Sequence, residues 1–198
     1  MIVSQAETNT IITFLGMSCA TVAGMVGYYA AYYKKQPAMI KMNNTLFLAH
    51  RVFGNFATIL YLVGLFAGIT GLIGAVTIDK PPLELQSLSF NIHTWGSFIV
   101  IIIIAWKTYY SYFKKQLLYG KRKWLGVAAF CAWVFTWITA AISYYVRTIP
   151  PNLQHPAPAV LLSYDLFVIQ LIMPFILGGS ISLIILRKVG LHEKKERP

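Results

Sequence analysis

Acidic side chains are scarce in this chain: its 198 residues include 6 aspartates and glutamates against 17 lysines and arginines. All charged residues together make 12% of the sequence, against about 25% in soluble domains. With 57% apolar residues and a mean hydropathy of +0.62, too little polar surface remains to coat a water-soluble globule of this length. Cysteine is nearly absent as well. Cys19 and Cys131 both fall inside apolar runs, so neither a disulfide framework nor a zinc site is suggested, and each reads as a small buried apolar residue. No phosphate-binding glycine loop, catalytic triad or zinc-protease motif occurs, which removes soluble-type hydrolases and kinases. Repeats and low-complexity tracts are missing too. No basic stretch precedes the first apolar run, and that run is longer than a signal-peptide core, so the first span is expected to persist.

Long apolar runs are what the sequence has in quantity. Five segments suffice to cross a hydrocarbon core of about 30 Å: Ile11 to Tyr33, Thr45 to Val76, Phe90 to Phe113, Trp124 to Val146 and Val160 to Leu186. The expected fold is therefore all-α, a single transmembrane helical domain over residues 1–198. The second span, at about 48 Å, is too long to stand upright and must tilt or project beyond the lipid. Its polar start, with His50, Arg51 and Asn55, is expected to project.

Charge placement orients the bundle. Lys34, Lys35, Lys41 and Arg51 cluster at one connection, Lys114, Lys115, Lys121, Arg122 and Lys123 at another, and Arg187, Lys188, Lys194, Lys195 and Arg197 at the tail. Only Lys80 and Arg147, against Glu7, Asp79 and Glu84, lie on the other side. By the positive-inside rule the basic side is cytoplasmic, the amino terminus is outside and the protein is a multi-pass protein of the cell membrane. The net charge of +11 then belongs with anionic headgroups of the lipid bilayer, and nucleic acid is not expected as a partner. The outer connections carry Pro81 and Pro82, and then Pro150, Pro151, Pro156 and Pro158, which favour extended chain.

Glycines mark where helices approach one another or a ligand. The second span holds Gly54, Gly64, Gly68, Gly71 and Gly74, with Gly64 and Gly68 as a GxxxG pair. Such spacing serves close helix packing in lipid, or leaves a smooth face for a flat ligand. Gly24 and Gly27 of the first span are weaker packing signals.

Four histidines carry the most specific chemistry: His50, His93, His155 and His192. A neutral imidazole is a good axial ligand for haem iron. His50 and His93 each have a glycine about one turn on, Gly54 and Gly96, which would leave room for a porphyrin against the helix. They cannot share one iron, since they stand about 37 Å apart along the membrane normal. Each must find a partner on its own side, and His155 is the candidate for His93. The outer site is the better supplied of the two, and a leucine at Gly96 would occupy its porphyrin's space. Arg51 could pair with a haem propionate. Without a haem, both histidines are interfacial polar residues bonded to neighbouring helices or headgroups.

With His50, His93 and the helix order on the page, the second to fifth spans resemble the four-helix core of the diheme transmembrane cytochromes b, the ascorbate- or quinol-linked, ferric-reductase-like type. The resemblance implies haem b, His50 at the first core position and His93 at the second, on opposite sides, and an oxidoreductase component with a redox partner or quinol. The third core helix has no histidine, and His155 would have to replace the missing ligand on the fourth. Asp165, the one acidic residue expected within a span, is a candidate for a proton or quinol site, or for a salt bridge to Arg147. Lys107 is close enough to the cytoplasmic end to snorkel. Three classes stay open: a haem-bearing electron-transfer protein, a non-haem anchor or accessory subunit bound to other membrane subunits, and a small transporter.

Overall fold

The computed structural model of the protein describes residues 5–33, 45–77, 88–119, 123–148 and 166–195. They form six helices: α1 (Gln5–Tyr33), α2 (Thr45–Thr77), α3 (Leu88–Phe113), α4 (Lys115–Tyr119), α5 (Trp124–Thr148) and α6 (Phe167–Lys195). Among the described residues there is no strand, and all but the short α4 are long and apolar enough to cross a membrane. The chain is thus an all-α, multi-pass membrane bundle.

Helix is the form this sequence must take in lipid, where each backbone donor and acceptor has to be satisfied within its own segment. The hydroxyls obey the same constraint. Ser18 donates to the Phe14 carbonyl, Thr21 to Met17, Thr58 to Gly54 and Ser182 to Gly178, each four residues back along its own helix.

Two boundaries depart from the sequence expectation. The last helix, described from Phe167, runs to Lys195, well past Leu186, where Arg187, Lys188, Leu191, Glu193, Lys194 and Lys195 are good helix formers that outweigh the single Gly190. The basic connection after α3 is not merely a loop, since α4 folds under the bundle and buries Leu118.

The first span occupies the middle. α1 packs against α2, α5 and α6, whereas α3 packs mainly on α5 and makes little direct contact with α2. Lipid tails are as apolar as leucine, so helices associate by close van der Waals packing, and the helix with the smallest side chains can take the most neighbours. From Gly16 to Ala31, α1 carries Gly16, Ser18, Ala20, Thr21, Ala23, Gly24, Gly27 and Ala30. Gly16 lies under the ring of Trp133, and Gly24 under that of Phe130. Gly178 of α6 meets the backbone itself: a Cβ there would stand 2.5 Å from the backbone oxygen of Ser18 and 2.7 Å from Thr21 Cβ. Val22 and Val26 are fully buried, with Ala30, Leu46 and Val189 around them. α1 carries most of the contact between α2 and α6, which touch each other directly only in part.

The sequence's GxxxG pair is not a tight interface. Gly64 has ordinary contact with Ile12, and Gly68 has nothing within 4 Å of its Cβ position. Cysteine also differs from expectation: Cys19 is half-buried, whereas Cys131 is exposed on the outer surface of α5. In a bilayer that surface is apolar, so a small thiol is tolerated there.

Pro174 sits inside α6 and is fully buried. It has no N–H for the Gln170 carbonyl, and the turn before it loosens. Trp137 of α5 donates its indole N–H to the next carbonyl of that turn, Leu171, at 2.9 Å. Trp133 and Trp137 are therefore core residues, 4% and 2% exposed, while Trp95, Trp106 and Trp124 are exposed as interfacial tryptophans are.

Candidate functional site: a cavity at the basic end of the bundle

Because α2 and α3 stand apart, a space opens between them, closed behind by α1 and α5. It is a cavity of about 970 Å³ at the basic end of the bundle, at the upper limit of ordinary small-molecule sites. Small residues of α1 and α2 leave the room, among them Ala20, Ala23, Gly24, Gly54 and Ala57, and Phe130 and Trp133 of α5 form the aromatic back wall. The lining is mostly apolar. Its basic groups are His50, Lys107 and Lys123, and Tyr28, Tyr29 and Thr58 add hydroxyls.

His50 is fixed from the side of α1. Its Nδ1 donates to the Ala23 carbonyl at 2.8 Å, 27 residues away in sequence. A Cβ on Gly27 would come within 2.8 Å of the ring, so that glycine is what lets the imidazole lie against α1. A neutral imidazole donating from Nδ1 carries its lone pair on Nε2, the arrangement in which a backbone carbonyl orients a histidine for metal ligation. Gly54, one turn on, lines the cavity without crowding: its Cβ position has only ordinary contact, with Lys107 Nζ at 3.8 Å and Ala23 Cβ at 3.9 Å. A smaller cleft beside the cavity is shared by His50, Arg51, Gly54, Lys107, Ser111 and Lys115, so Arg51 joins the same basic rim.

His93 meets different surroundings. Thr139 of α5 donates its one hydroxyl proton to the Phe135 carbonyl at 2.8 Å and therefore accepts from His93 Nδ1 at 2.9 Å. Gly96, where a porphyrin was expected to fit, lies against the ring of Phe135, which takes up the space in front of it. Ser97 donates back to the His93 carbonyl, and Tyr61 of α2 donates to the Ser97 carbonyl at 3.3 Å. The neighbourhood of His93 is a packed helix junction.

His50 and His93 are on separate helices with separate partners. His155 and Asp165 lie outside the described residues, as does the side chain of His192, although α6 extends through its backbone. No group of three or more histidine, cysteine or acidic side chains suited to a bare metal ion exists among the described residues, a test that does not bear on haem, whose iron needs one or two axial ligands.

Sequence reasoning missed Lys107 and the cavity's α1 wall. The sign for the wall was present in the small residues spaced at three and four from Gly16 to Ala31. Lys107 sits six residues before the end of α3, a position from which a lysine commonly bends back to the interface. Here it reaches across to Gly54 of α2 instead.

No family model, curated protein or solved structure matches the chain.

Proposed function

We propose that the protein is a cytochrome b-like electron-transfer protein of the cell membrane that holds haem b in the cavity at its basic end, with His50 as an axial ligand. The observation that carries this is the placement of His50: an imidazole pinned through Nδ1, at the wall of a cavity of about 970 Å³ whose lining is mostly apolar. The residues fit the group. The cavity that Gly54 lines has room for a flat macrocycle, the aromatic rings of Phe130 and Trp133 supply apolar contact, and Arg51, Lys107 and Lys123 offer cations for propionates. Bound haem would supply one-electron redox chemistry; the protein's share is to ligate the iron, exclude water and balance the carboxylates. The site at His93 is the weaker candidate, because Phe135 fills the room beside Gly96.

The test is a reduced-minus-oxidised absorption spectrum of the protein purified after expression with full cofactor supply. A sharp haem b band is expected in the parent and in His93→Ala, and none in His50→Ala. A colourless parent, or a full band in His50→Ala, would sink this assignment and favour a non-haem accessory subunit.

The basic end faces the cytoplasm in this proposal, by the positive-inside rule. Single cysteines at Ser87 and Gly120, in a background lacking Cys19 and Cys131, should react with a membrane-impermeant thiol reagent from outside at the first position and not at the second. Labelling of both in intact cells refutes the orientation.

A further inference from the structure

Lys107 is held where a lysine is expensive. The five apolar windows contain none of the chain's six acidic residues, and among the described residues its ammonium has no ion pair and no hydrogen-bond partner. It stands about 9 Å inside the end of α3 and, reaching across the gap toward α2, lines both the cavity and the cleft beside it. An ammonium in an apolar cavity needs a counter-charge, and an anionic occupant of the cavity is a source of it within reach of Lys107. The surroundings agree in sign: Lys123 on the cavity wall, with Arg51 and Lys115 in the adjoining cleft, make the whole rim basic.

We infer that Lys107 anchors the acid head of an amphiphilic anion, a carboxylate or phosphate joined to an apolar body that fills the cavity. The basic end supplies the head and the walls of α1, α2 and α5 the body. Charge and shape both exclude a cation, and the apolar lining disfavours a small free anion. This holds for any such molecule and does not depend on the haem proposal, a propionate being one form of the acid.

Trp133, in the cavity wall, provides the readout. The full chain in a neutral detergent is titrated with dibromostearic acid, dibromostearyl phosphate and dibromostearyl alcohol, whose bromines quench indole fluorescence on contact. One or both acids should quench at about tenfold lower concentration than the alcohol, the scale of a charge-assisted hydrogen bond. Lys107→Met should bring the ratio to about one without changing the alcohol titration, and Lys107→Arg should keep it. The tighter acid identifies the head group. Equal titration by acids and alcohol in the parent overturns the inference, whether or not Lys107→Met folds, as does an undiminished ratio in that variant. The absorption spectrum of the same samples separates the two proposals: a colourless protein that prefers an acid probe removes haem and keeps Lys107, and a haem-bearing protein indifferent to the head group does the reverse.

Discussion

The two ends of the bundle carry the same short pattern, a histidine with a glycine about one turn later, and put it to different uses. At the basic end, His50 is pinned to α1 and Gly54 opens onto a cavity. At the other end, His93 is held by Thr139 and Gly96 is the seat of the Phe135 ring. The difference lies in the facing helix. α1 presents Ala23 and Gly27 to His50, side chains too small to fill the gap that the separation of α2 and α3 leaves, whereas α5 presents a phenylalanine to Gly96. A glycine therefore shows only that something comes close to the backbone; its partner decides whether that is a ligand or a side chain.

The largest expected effect tests this contrast directly. Gly54→Leu extends four carbons from the cavity wall, beside Lys107 and Ala23, and should abolish the haem band while leaving a folded bundle, measured as haem per protein after size-exclusion chromatography. Gly96→Leu must displace Phe135, at the cost of about 1 to 3 kcal/mol typical of overpacking. It should lower the thermal midpoint and leave the haem content of the folded fraction unchanged. The opposite assignment, with the band lost only in Gly96→Leu, would return the site to His93.

A smaller effect separates packing glycines from idle ones. Gly178→Ala should destabilise the bundle by about 1 to 3 kcal/mol, since the new methyl meets the backbone oxygen of Ser18 and one helix must move away from the other. Gly68→Ala meets nothing within 4 Å and should stay within about 0.5 kcal/mol of the parent. Comparing their unfolding in graded denaturing detergent checks both, and equal midpoints would contradict the packing described for α1 and α6.

Much of the bundle was legible beforehand. The five spans follow from apolar length alone, and the starts of α2 and α5 coincide with the expected residues, Thr45 and Trp124, because basic connections interrupt the apolar runs there. The short α4 was not legible, since five residues give too little periodicity to read. Of the candidate site, His50, Gly54 and Arg51 were found, and they do gather at one cavity with its neighbouring cleft. Gly96 was singled out on the same local grounds and faces Phe135, a residue 39 positions later that no local pattern connects to it. Lys107 was passed over because its distance from the helix end suits snorkelling, and only the gap between α2 and α3 gives it another direction.

Composition and the order of residues determined that this chain is a membrane bundle, how many spans it has and which of its ends is basic, because those properties depend on hydropathy summed along a segment and on charges beside it. Tertiary structure alone decided which helix stands at the centre, which glycines touch a neighbour and where space is left. Those depend on distances between side chains far apart in sequence, and in lipid no hydrophobic gradient ranks one apolar face over another, so the fit of small residues against large ones makes the choice.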